Sequence, residues 1–185
     1  MKLVDRLVEL SGREQSTQEK RIAKILPIFV FFFLFPSILF LIPTVMLDRW
    51  FHLSPLPFPT VRSIVAPLLI FLGIGFLLWT IKAQRELGNG SPMPLMATRQ
   101  LVIQKPYAYC RNPLAFGLLA FYFGISLLLA SVSSLLAVAL FAAIILSYIK
   151  FIEERELEKR YGEPYSAYKA KTSFLIPRKR NKTSD

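Results

Sequence analysis

Cysteine and histidine are almost absent: this 185-residue chain has one of each. Cys110 alone excludes an intramolecular disulfide and any cysteine metal cluster, and with His52 as its sole imidazole the chain cannot assemble a zinc site. His52 falls in a connection between apolar runs, where an interfacial, structural role accounts for it. Acidic residues are scarce, 12 against 23 basic ones, for a formal net charge of +11. Such an excess can serve nucleic acid, but no recognition motif accompanies it, and no nucleic-acid partner is expected. The distribution gives a different reason. Lys and Arg crowd residues 2–24, 82–111 and everything from Lys150 on, while the connections 48–62 and 131–134 carry only Arg49 and Arg62. By the positive-inside rule, both termini and the middle loop are expected in the cytoplasm, with some attraction to anionic lipid headgroups. The longest absence is of charge itself: nothing between Arg111 and Lys150 is ionisable as an acid or base of the Asp, Glu, Lys or Arg kind.

That charge-free stretch, Asn112 to Ile149, is nearly twice the roughly 20 residues that one membrane crossing needs. Its one polar cluster, Ser131-Val132-Ser133-Ser134, sits near the middle. A chain reversal there makes a hairpin of two crossings and returns Arg111-Asn112 and Glu153-Glu154 to the same depth on one side of the bilayer. Two further apolar runs, Leu26 to Leu47 and Ser63 to Ile81, raise the hydrophobic content to 54%. The first is too long for a cleavable signal, and the charged segment 1–24 precedes it. The reading is an all-α integral membrane protein of one domain, with four transmembrane helices over 25–47, 62–81, 113–130 and 135–152. Residues 82–112 and 153–177 are its cytoplasmic elements, and 178–185 a basic tail.

Smaller features refine this. Leu3, Leu7 and Leu10 share one face of an N-terminal amphipathic helix expected to lie on the cytoplasmic surface, or to bind a partner. Pro36 and Pro43 should kink the first span, and Ser54-Pro55-Leu56-Pro57-Phe58-Pro59 cannot be regular helix. Gly73 and Gly75 permit close helix approach in the second span. Asn112-Pro113 is a helix start, whose free N–H groups suit a carboxylate or phosphate, with Arg111 beside it. The last span should run on into the cytoplasm as far as Tyr161, where Gly162 and Pro164 end it. Of the glutamates on that extension, Glu156 and Glu158 read as a solvated face with Arg155 and Lys159. Glu153 leaves the bilayer at the level of Arg111, where an acidic group is costly unless paired or functional.

These residues resemble a known superfamily. Leu101-Val102, Lys105-Pro106-Tyr107-Ala108-Tyr109-Cys110-Arg111-Asn112-Pro113, Gly117, Glu153-Glu154, Leu157, Tyr161-Gly162, Tyr165, Tyr168 and Ile176-Pro177 are similar, in order and spacing, to the isoprenylcysteine carboxyl methyltransferase and phospholipid methyltransferase superfamily. Gly88 to Pro94 resembles its glycine- and proline-rich loop. The resemblance covers roughly residues 80–177 and implies a membrane-embedded methyltransferase that uses S-adenosyl-L-methionine from the cytoplasm and a lipid or lipidated acceptor from the bilayer. It carries cofactor contacts over to Arg99, Gln100, Leu101, Val102, Tyr107, Asn112, Pro113, Leu114, Ala115 and Glu153. Arg111, Glu154 and Lys150 are the expected catalytic residues. Arg111 would stand at the cofactor carboxylate, and Glu154 (or a tyrosine) would take the proton of an amine acceptor. Lys150 would stand in for an arginine that isoprenylcysteine enzymes place at the position of Ile149. Lys105 and Ala115 replace the glycine and tyrosine of the pattern, and Ser173 stands at an often basic position. Those replacements motivate an alternative, a non-catalytic membrane scaffold or lipid-binding protein with the same fold. A transporter fits less well, because no span carries an internal charge.

Overall fold

The structure, a computed structural model, describes residues 30, 34–87 and 101–178. The N-terminal amphipathic segment, the loop Gly88 to Pro94 with Arg99 and Gln100, and the last basic residues lie outside them. Every regular element among the described residues is helical; one isolated parallel bridge joins Cys110 to Ser173. Residues 34–50 are helical but irregular. Pro36 precedes a π turn over Ser37–Leu41, and Pro43 opens another over Pro43–Leu47. A proline removes an N–H from the ladder, and the widened turn takes up the defect where a kink was expected. After the non-helical 51–58 come α1 (Pro59–Leu87), α2 (Pro113–Leu128), α3 (Val132–Tyr148), α4 (Glu154–Tyr161) and α5 (Glu163–Lys171). A π turn, Ile149–Glu153, joins α3 to α4 in one helix.

Two of these helices, Pro59–Glu86 and Val132–Tyr161, are long and apolar enough to cross a membrane, and Pro113–Leu128 is a shorter apolar helix. Their outer faces are apolar too. Leu136, Leu140 and Ile144 form a stripe one turn apart on α3, each more than 60% exposed. Soluble proteins rarely expose such surfaces, which lipid covers without cost.

The chain forms two compact units, and α1, α2 and α3 each contribute residues to both. The apolar unit takes the described part of Gln15–Ile74 with Leu118–Leu146. Its core is Leu39, Phe40, Tyr122 and Val138, flanked by Phe35 and Phe141. Phe40 meets the Tyr122 ring edge-on at 5.5 Å between centroids. The hairpin turn falls at Leu129-Ala130, slightly ahead of the serine cluster, and Ser131 caps α3: its Oγ accepts the Ser134 N–H at 3.0 Å. Asp48 Oδ1 accepts the Ser133 N–H, also at 3.0 Å. The Ser134 hydroxyl donates to the Leu39 carbonyl at 2.7 Å. Ser131 and Asp48 therefore satisfy donors that a buried helix start would otherwise leave bare.

Helices approach closely in this unit at Gly124, a position the sequence did not single out. A Cβ there would stand 2.8 Å from Ile70 Cγ1 and 2.9 Å from the Ala66 carbonyl oxygen, whereas one at Gly75 would meet nothing within 4 Å.

The charged unit takes Gly75–Gly117 with the described part of Ser147–Asp185. Here Gly162, at φ 61° and ψ −135°, ends α4 in a conformation that side chains disfavour, and Pro164 starts α5 immediately. The helical chain turns at this point where an end was expected. The turn packs α5 back on α4, buries Tyr165 and brings Lys169 onto the α4 face that bears Glu154 and Glu158. Glu156 is only 7% exposed and is ion-paired to Arg160. The expectation of a solvated Glu156 was wrong: the fold buries it, and Arg160 one turn on in the same helix meets its charge, so the carboxylate tolerates burial.

Candidate functional site

Arg111 stands near the end of the loop that runs from Leu101 to Asn112, two residues before α2. Its Nε donates to Glu154 Oε1 at 2.8 Å, and the two side chains are only 12% and 3% exposed. Its Nη1 donates to the carbonyl of Lys169 at 2.9 Å and to that of Thr172. The other carboxylate oxygen of Glu154 binds Lys169 Nζ, also at 2.9 Å, and Lys169 reaches Glu158 as well. Burying a carboxylate this deeply is sustainable only when its charge is met on every side. Those contacts to Glu154 and Glu158 hold the Lys169 ammonium above the ordinary lysine range. The loop before α2 and the acidic exit of the long helix thus meet.

Residues 172–178 run as a strap along the same loop. Arg111 N–H donates to the Ser173 carbonyl at 2.8 Å, Asn112 Nδ2 to that of Phe174 at 2.9 Å, and Arg178 N–H to that of Tyr109 at 3.0 Å. The Ser173 hydroxyl donates to the Tyr109 carbonyl at 3.1 Å, and the Tyr168 hydroxyl to the Tyr107 carbonyl at 2.8 Å. Beneath this strap Cys110 has no exposed surface, and burial pushes its thiol up to about 11, partly opposed by the Asn112 N–H. Burial likewise raises the phenols of Tyr107, Tyr165 and Tyr168.

The expected cofactor residues fall in different surroundings. Val102, Pro113 and Ala115 are buried, while Leu101, Tyr107, Asn112 and Leu114 are partly exposed. Arg99 and Gln100 lie outside the described residues. Glu153 ends the π turn and is partly exposed. Its carboxylate has no ion pair or hydrogen bond among the described residues, unlike those of Glu154, Glu156 and Glu158. Its charge is nevertheless felt at Tyr107. The Tyr107 hydroxyl accepts a hydrogen bond from Gln84 Nε2. On α1, Gln84 Oε1 and, one turn earlier, Thr80 Oγ1 are buried with no hydrogen-bond partner among the described residues. Orphaned acceptors are rare in folded proteins and call for a donor. Thr80 and Gln84 gave no signal in the sequence beyond being polar residues near the end of an apolar run. Lys169 gave none, since its partners are distant in sequence.

The sequence profile of the phospholipid methyltransferase family matches residues 61–164, more than half of the chain. The chain belongs to that family. It is therefore a member of the superfamily that joins the isoprenylcysteine and phospholipid methyltransferases, and its apolar helices are those of a membrane protein. The matched span begins on α1 and ends inside α5, so every ionic contact of Glu154 except that of Lys169 lies within it. No curated protein is similar enough to this chain to count as a match.

Proposed function

We propose that this phospholipid methyltransferase family member transfers a methyl group from S-adenosylmethionine to an amine or carboxylate on a lipophilic acceptor held in the bilayer. What supports the reading, beside the family, is the carboxylate of Glu153, unpaired among the described residues and near enough to Tyr107 for its charge to act there. With it goes Gln84, which bonds Tyr107 while its own buried Oε1 has no partner among those residues. Such a set fits a ligand rich in hydroxyl and amino donors, as the ribose and amino groups of this cofactor are. When bound, the cofactor supplies an electrophilic methyl group on a sulfonium. Glu153 and Tyr107 would accept and orient its donors, with Leu101, Val102, Leu114 and Ala115 as apolar walls. Asn112 and Pro113 open α2 and would offer its N-terminal dipole to an anionic group.

Displacement at a methyl carbon asks mainly for alignment, so holding the walls still is the larger part of the work. Arg111 and Glu154 do this by pinning the strap to the loop. Glu154 has both oxygens occupied, so its role here is positioning. Lys150, exposed at the end of the apolar segment, offers a cation to an acceptor's anionic group. In this reading four crossings place both termini and this unit in the cytoplasm, as the basic residues require.

Isothermal titration of the purified protein with S-adenosylhomocysteine tests the proposal. Glu153→Gln should weaken binding about 10- to 100-fold, the value of a hydrogen bond to a charged group, and should abolish transfer of labelled methyl to a membrane lipid extract. Absence of binding by the unaltered protein, with no labelled lipid, would leave the scaffold reading in its place.

A further inference from the structure

Next to the Arg111–Glu154 pair lies a cleft of about 410 Å3 whose charges do not balance. Arg111 and Lys169 are committed to Glu154 and Glu158. Lys150 and Arg155 line the same cleft, both exposed, and neither has a carboxylate partner or hydrogen bond among the described residues. On a regular α-helix, residues five apart point in well-separated directions. The π turn Ile149–Glu153 bonds i to i+5 and so turns Lys150 and Arg155 toward one side. Phe151, 56% exposed, and Phe174 supply apolar walls. Lys150 lies over the Phe151 ring at 5.9 Å from its centroid. Two cations without an anionic partner among the described residues thus stand beside an exposed ring, where an apolar helix gives way to charge. They ask for a ligand with an anionic head and a hydrocarbon body.

We infer that this cleft binds the phosphate of an anionic membrane phospholipid between Lys150 and Arg155, with its glycerol and upper chain against Phe151. Charge complementarity and the apolar wall favour a lipid over a soluble anion. The site stands whether or not the bound lipid is also the methyl acceptor, and it needs no methyl donor.

The test is native mass spectrometry of the full chain in detergent, without cofactor, titrated separately with phosphatidylglycerol and phosphatidylcholine. The unaltered protein should prefer phosphatidylglycerol. Lys150→Gln with Arg155→Gln should cost about 30-fold in its affinity, from roughly fivefold per interfacial cation. Both side chains are exposed, so the variant should melt as the parent does. Arg85→Gln with Arg178→Gln removes the same charge from exposed positions elsewhere in this unit and should change affinity less than twofold. Equal losses in the two double variants would reduce the effect to general basicity and overturn the site. So would equal binding of the two lipids, or displacement of the lipid by millimolar inorganic phosphate.

Discussion

The two units of this chain solve the problem of burial in opposite ways. In the apolar unit Phe40, Tyr122, Phe35 and Phe141 pack ring against ring, and the most deeply buried polar residues are serines, among them Ser131 and Ser134, whose hydroxyls bond to backbone. The charged unit buries Glu154 and Glu156 at 2% and 7% exposure and meets them with Arg111, Lys169 and Arg160. Shape alone sets the first, so a single methyl group matters there. Electrostatic pairing sets the second, so removing one partner harms it through the charge left behind.

Substitutions should separate the two regimes. Arg111→Met should cost about 3 kcal/mol, the low end for breaking a buried pair, because Lys169 still holds one oxygen of Glu154. Thermal unfolding in detergent gives the loss, and hydrogen exchange should rise first in residues 163–178. Adding Glu154→Gln should recover much of the stability, since no buried charge then remains. A cost below about 1 kcal/mol for Arg111→Met would mean the strap's backbone bonds suffice and would erase the contrast.

Gly124→Ala should follow, at about 1–3 kcal/mol, because the added carbon meets a backbone oxygen that cannot move aside. Gly75→Ala, where the same carbon meets nothing, is its control and should be neutral. Equal melting of the two variants would show that the apolar unit does not depend on close fit.

The smallest effect concerns Cys110. Its thiol ionises at about 11, above the ordinary value, so the unfolded chain gives up this proton first as pH rises. The stabilisation it adds is therefore complete at neutral pH and fades as pH climbs toward about 11. Alkylation by iodoacetamide near neutral pH should run roughly 100-fold slower in the folded protein than in denaturant. Comparable rates would mean that the strap does not cover this residue.

Much of the site was legible before any coordinates. The hairpin, the helix start at Asn112-Pro113 and the meeting of Arg111 with the acidic helix exit all follow from where charge stops and resumes. Less legible was the division of labour among the glutamates. Glu153 and Glu154 are neighbours of identical chemistry, and sequence gave each a role without saying which one cations would occupy. Glu156 looked solvated because helical spacing within α4 does not show which of its faces the rest of the fold buries. The close approach at Gly124 was hidden for a related reason: a glycine in an apolar run states that closeness is permitted, never which helix uses it.

Composition and periodicity by themselves determined that this is a helical membrane protein, where its apolar helices run, and which two polar segments face each other. Hydrophobicity and charge act locally along the chain, so their pattern can be read locally. The tertiary structure decided that, among the described residues, Glu154 is clamped while Glu153 has no ion pair, and that Thr80 Oγ1 and Gln84 Oε1 are buried without a hydrogen-bond partner. It also left Lys150 and Arg155 without a carboxylate partner among the described residues in a shared cleft. Those outcomes depend on contacts such as Arg111 with Glu154 and with Lys169, 43 and 58 residues apart. Only the folded-back strap brings such groups within the few ångströms over which a charge can choose its partner.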